Sequence, residues 1–107
     1  MPEVRELYRE AFQAFARGKH EAAIAGYRKV LEIDPQFGLA WQGLAEAESR
    51  RGDMAAAIEA IRHAIEADPS ESLYYTSLSR FYQASGQIPE AEEAAAQAMR
   101  LQAREPL

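Results

Sequence analysis

A period of 34 residues constrains this chain more than any other feature. Gly18, Gly52 and Gly86 follow it. So do three further sets: Ala23, Ala57 and Ala91; Leu7, Trp41 and Tyr75; and Leu31, Ile65 and Met99. Asp34-Pro35 recurs as Asp68-Pro69 at the same offset. A fixed period of this size is typical of a stacked array. Because one short unit cannot bury its own apolar face, neighbouring units must cover each other.

Each unit has the pattern of two helices joined at a glycine. Apolar residues recur at spacings of three and four, which predicts helices over 3–16, 20–33, 37–50, 54–67, 71–84 and 88–103. Asp53 is placed to cap the helix that follows Gly52, and Pro89 falls in the first turn of the last helix. The sequence therefore predicts an all-α protein of three helix hairpins.

The residues at these recurring positions carry a resemblance to a known family. The second unit has the fullest pattern: Trp41, Leu44, Ala45, Gly52, Asp53, Ala57, Ile58, Ala64 and Pro69. This resembles the tetratricopeptide repeat, with repeats at about 4–37, 38–71 and 72–105 in a single domain spanning 1–107. The match departs from the family pattern at Glu10, where leucine is expected, and at Ala103, where proline is usual. The resemblance implies an α-α superhelix whose first helices line a concave groove that binds a peptide or partner protein.

Composition narrows the function classes. The chain has 107 residues, no cysteine and a net charge of −5, which disfavours non-specific binding to nucleic acid or to an anionic membrane. His20 and His63 lie at different repeat phases and form no metal-binding motif, and carboxylate pairs such as Glu46 and Glu48 are interpreted as a solvated helix face. We expect a cytoplasmic interaction module with no cofactor, no metal and no catalytic residues.

The groove phases of the family fall on twelve candidate binding residues. They are Arg5, Tyr8, Arg9, Phe12, Phe15, Leu39, Gln42, Glu46, Arg50, Leu73, Thr76 and Arg80. Four arginines against one glutamate predict a preference for an acidic segment. Tyr8, Phe12 and Phe15 share one helix face, so they form either an aromatic anchor site in the groove or part of the core.

Some family members clamp the carboxylate tail of a chaperone with basic and amide side chains at five groove phases. Here those phases hold Tyr8, Phe12, Gly43, Leu73 and Ser77, and none of them is basic. The resemblance therefore does not extend to a chaperone-tail receptor of that kind.

The alternative function is self-assembly through the C-terminal end of the array. Family arrays usually cover their last repeat with a polar helix. We expect Tyr74 and Phe81 to lie on the surface that would meet a fourth repeat, with Met99 nearby. This surface would serve a homodimer, form a modest patch with both rings folded onto the last helix, or bind another partner.

Overall fold

The computed structural model describes residues 2–104 and shows six α-helices without a strand among them. They are α1 (Pro2–Ala16), α2 (His20–Ile33), α3 (Gly38–Arg51), α4 (Met54–Ala67), α5 (Ser72–Ala84) and α6 (Ile88–Arg104). Each helix packs against the helix that follows it. The all-α prediction is confirmed, and every helix end lies within one residue of its predicted position. Within the described residues, no helix is both long enough and apolar enough to cross a membrane.

Left-handed glycines make the turn inside each hairpin. Gly18, Gly52 and Gly86 have φ values of 77°, 94° and 76°, which side chains with a Cβ rarely adopt. After Gly52, the Asp53 carboxylate accepts a hydrogen bond of 3.0 Å from the backbone N–H of Ala56. The predicted cap is therefore present, and it satisfies one of the free donors at the start of α4.

The Asp-Pro turns between hairpins also have a structural role. Asp34 accepts from the backbone N–H of Gln36 at 3.1 Å, and Asp68 accepts from that of Ser70 at 3.2 Å. These turns fix where one hairpin ends and the next begins.

Small residues let the helices of a hairpin approach closely. Ala23 and Ala57 are completely buried, and Ala91 is nearly so. A Cβ added to Gly26 would lie 2.8 Å from the Cβ of Ala11, so α1 and α2 meet with no room for another methyl group. At these buried positions, small residues therefore form the close-packing surface between the two helices of a hairpin.

Candidate functional site

Side-chain contacts join α1, α3 and α5 into one continuous surface. The Arg50 guanidinium of α3 lies 5.4 Å from the ring centroid of Phe15 in α1. Arg80 of α5 donates to the Glu46 carboxylate of α3 at 2.5 Å. All four residues belong to the twelve predicted from the sequence, and we call those twelve the inner surface. The structure brings residues of this predicted set together across all three repeats.

Large apolar side chains are exposed on each of the three helices of the inner surface. Phe12, Leu39 and Leu73 expose 53%, 49% and 57% of their area. Leu39 and Leu73 are equivalent residues of successive repeats. Phe12 lines a depression of about 350 Å³ together with Arg5, Tyr8 and Arg9. Such exposed apolar groups in a depression with polar neighbours are typical of binding sites.

The aromatic stripe on α1 divides between groove and core. The Tyr8 ring stacks on Phe37 with centroids 5.2 Å apart, and burial raises the pKa of its phenol. Phe15 is half-buried, with its ring 5.8 Å from His20. Of the three, only Phe12 is more than half exposed, which leaves it as the aromatic group best placed to contact a ligand.

The positive charge of the inner surface is partly neutralised by ion pairs. Arg9 pairs with Glu6 at 3.3 Å. Arg80 pairs with Glu46, and the hydroxyl of Ser77 donates to the same carboxylate at 3.3 Å. The remaining polar members are Arg5, Arg50 and Thr76, which are exposed, and Gln42, which is half-buried. We therefore expect apolar contacts to contribute more than charge to binding on this surface.

The expected exposure of Tyr74 and Phe81 is wrong. Their side chains are only 4% and 1% exposed. A Cβ added to Gly38 would lie 2.6 Å from the Tyr74 hydroxyl oxygen, so Tyr74 packs against the preceding repeat. In repeat one the equivalent residues, Glu6 and Gln13, are polar and exposed. Tyr74 therefore belongs to the core between repeats two and three, and Phe81 is a buried member of the core.

In the first repeat, one face of α2 is covered by the repeat that follows. The equivalent face of repeat three lies on α6. Tyr27 of α2 packs on Gly43 of the following repeat, and its equivalent in α6 is Ala95. Leu31 is 8% exposed, whereas its equivalent Met99 is 68% exposed. Met99, the third residue predicted for self-association, is thus on the surface that a following helix would cover.

A buried carboxylate was missed by the sequence interpretation. Glu48 is 3% exposed and accepts from Arg28 at 3.2 Å and from Arg51 at 2.6 Å, whereas Glu46 is half-buried. The hydrogen bond with Glu48 also raises the pKa of Arg51. Interpreting Glu48 as part of a solvated face was therefore wrong. The available signal was its phase, which holds the buried Tyr82 one repeat later.

Comparisons with known proteins agree with this architecture. A tetratricopeptide-repeat family model matches residues 14–80, so the chain belongs to the tetratricopeptide repeat family. No curated protein sequence matches it.

Solved structures share the fold. The structure of MamA aligns with a TM-score of 0.91 at 21% identity over 94% of this chain, which spans 59% of the MamA chain. The Yersinia enterocolitica type III secretion chaperone SycD, in complex with a peptide of the translocator YopD, aligns at 0.94 and 23% over 99% of this chain and 81% of SycD. The first TPR of Spaghetti (RPAP3), bound to the HSP90 peptide SRMEEVD, aligns at 0.89 and 22% over 95% of this chain and 81% of that one.

Proposed function

We propose that this chain is a protein-interaction module that binds a peptide segment on its inner surface. The observation that carries the proposal is the exposure of Phe12, Leu39 and Leu73 on helices that other contacts join into one surface. SycD and RPAP3, which share the fold, were solved with bound peptides. We infer a ligand with apolar anchors for these three side chains, and binding rather than catalysis as the function.

The chemistry of the ligand follows from the five phases used by chaperone-tail receptors. Tyr8 and Phe12 are aromatic, Gly43 has no side chain, Leu73 is apolar, and Ser77 is buried with its hydroxyl bonded to Glu46. These groups provide no cation for a terminal carboxylate, so the proposed ligand is an internal segment rather than a chain end. An acidic residue beside the apolar anchors would meet Arg5 and Arg50, which are exposed.

Truncating an exposed apolar residue of the inner surface should reduce peptide affinity strongly. Peptides selected from a random phage-displayed library on the wild-type chain would be labelled and measured by fluorescence polarisation. We expect Phe12→Ser and Leu73→Ser each to weaken binding about ten-fold, because central apolar anchors dominate interface energies. Ile88→Ser is a matched control, since Ile88 on α6 is 49% exposed. If Ile88→Ser weakens binding as much as the other two changes, the inner surface is not the binding site.

Reversing the charge of two inner-surface arginines tests whether acidic residues of the ligand contribute to binding separately from its apolar anchors. The double change Arg9→Glu and Arg80→Glu should lower the affinity for peptides that contain Asp or Glu by only about three-fold. The effect is small because both arginines are exposed and already paired. The salt dependence of the affinity for these peptides should also decrease in this variant. If affinity and salt dependence are unchanged, the ligand does not need an acidic residue, and only the apolar anchors remain part of the proposal.

Self-association through α6 is a second candidate, favoured by the exposure of Met99. Met99 lies on the α6 face whose equivalent in α2, at Leu31, is buried, and Ile88 is also exposed on α6. Size-exclusion chromatography with light scattering should show a dimer at concentrations of about 100 µM and a monomer for Met99→Glu. Leu73→Ser, which removes a comparably exposed side chain elsewhere, should stay dimeric. A wild-type monomer at that concentration would exclude this candidate.

A further inference from the structure

Two equivalent grooves lie on the opposite side of the array, and we call them the outer grooves. The first has a volume of about 450 Å³ and is lined by α2, α3 and α4. The second, of about 380 Å³, is lined by α5 and α6. All seven residues lining the second occur 34 residues after residues lining the first. The repeat therefore builds the same groove twice.

The floor of each outer groove is apolar. Trp41 and Leu44 form the floor of the first, and Tyr75 and Leu78 form that of the second. The Trp41 indole is fixed from two sides, because its N–H donates to the carbonyl of Pro35 at 2.8 Å and its ring stacks on His63 at 4.4 Å. Each floor therefore presents an aromatic ring beside a leucine.

An arginine from the preceding repeat donates to a lining residue of each outer groove. Arg28 donates to Glu48 in the first, and Arg62 donates to the hydroxyl of Tyr82 in the second. Both pairs span 20 residues of sequence, so they are equivalent contacts. The bonds hold Arg28 in the lining of the first groove and Arg62 beside Tyr82 of the second.

Small side chains on the wall leave the grooves open. Ala60 and Ala94 occupy equivalent wall positions, and Ala56 is half-buried beside the first groove. The residue equivalent to Ala56 in repeat three is Glu90, so a long side chain is compatible with the helix at that position. The first groove could therefore be filled by one substitution that leaves α4 intact.

The rims carry negative charge. Glu32 and Glu59 are exposed on opposite walls of the first groove, and neither pairs with a base among the described residues. Glu90 and Glu93 line the second, where Glu93 pairs with Arg100 at 3.0 Å. An apolar floor between carboxylates complements an amphipathic segment whose apolar side chains are flanked by lysine or arginine.

We propose that the outer grooves form a second binding site, for a basic amphipathic segment of a partner protein. The site goes beyond the proposed inner-surface function and has the opposite charge preference. A chain that used both surfaces would connect an apolar segment on one side to a basic amphipathic segment on the other.

Two synthetic peptides of about 12 residues test this proposal. One contains leucines on one helical face and lysines elsewhere, and the other has glutamate in place of lysine. Titrations would follow the indole N–H signal of Trp41 by NMR and affinity by fluorescence polarisation. We expect the lysine peptide to bind and shift the Trp41 signal, and the glutamate peptide to bind at least about ten-fold more weakly at low salt.

Matched variants test where on the chain the lysine peptide binds. Ala56→Leu should reduce binding at the first groove, measured from the Trp41 signal, about ten-fold by filling that groove. Glu32→Gln with Glu59→Gln should weaken it about five-fold, whereas Glu3→Gln with Glu10→Gln, which makes the same change of net charge on α1, should weaken it by less than about two-fold. Absence of binding by the lysine peptide would overturn the proposal. Equal losses in the two glutamine pairs, or a loss with Leu73→Ser but not with Ala56→Leu, would overturn it as well.

Discussion

Replacing Gly43 by alanine should lower the free energy of unfolding by roughly 1–3 kcal/mol, the usual range for overpacking a core. At an exposed helix position the same change raises stability by up to about 1 kcal/mol, because alanine is the better helix former. Here a Cβ would lie 2.3 Å from ring carbon Cζ of Tyr27. Tyr27 is 1% exposed, so its ring has no space into which to move.

The Gly43 prediction is checked by urea denaturation followed by circular dichroism, in two backgrounds. In Tyr27→Leu, which is itself destabilised, adding Gly43→Ala should cost little or raise stability, because the ring that clashes is gone. Ser49→Ala on the same helix is the control and should change stability little. A Gly43→Ala protein as stable as wild type would mean that α2 and α3 do not approach as closely as the structure shows.

The helices could be predicted from the sequence because their signals are local. The repeated glycines at positive φ, the Asp53 cap and the Asp34 and Asp68 turns each act within a few residues. The recurrence of each signal 34 residues later removes most of the ambiguity of any single one.

The orientation of side chains between repeats was harder to predict. A period shows that Tyr74 is equivalent to Ala40, but it does not show which neighbouring repeat that phase contacts. Repeat one held the available signal, since Glu6 and Gln13 are polar where the later repeats bury apolar groups. Polar residues at the first repeat indicate a phase directed toward the preceding side of the array.

The candidate site was predicted as a set of positions within the repeat. The structure shows in addition how the residues at these positions contact each other. Glu46 and Arg80 have opposite charges at the same phase of successive repeats, and they pair at 2.5 Å. Together with the Arg9–Glu6 pair, it leaves two of the four arginines, Arg5 and Arg50, without an acidic partner among the described residues. The outer grooves left no local signal in the sequence, because each needs residues from at least two helices.

Removing both arginines around Glu48 should destabilise the fold strongly. Glu48 is 3% exposed, and Arg28 and Arg51 are its two bases. In Arg28→Ala with Arg51→Ala, the Glu48 carboxylate stays buried without a partner, which costs about 3 kcal/mol. Chemical denaturation would measure this loss.

A second substitution separates the cost of the unpaired charge from lost packing. Glu48→Met in the double-alanine background should restore most of the stability, because it replaces the carboxylate by an apolar side chain of similar length. In the wild-type background, Glu48→Met should change stability by less than about 1 kcal/mol, since both arginines remain solvated.

The matched control for the Glu48 prediction removes two arginines from exposed pairs. Arg9 and Arg100 pair with Glu6 and Glu93, which are 62% and 75% exposed. Arg9→Ala with Arg100→Ala should leave stability nearly unchanged, because water replaces the lost partner at each carboxylate. If this control loses as much stability as Arg28→Ala with Arg51→Ala, the loss comes from removing arginine as such. If Glu48→Met fails to restore the double-alanine protein, the buried carboxylate is not the source of the instability.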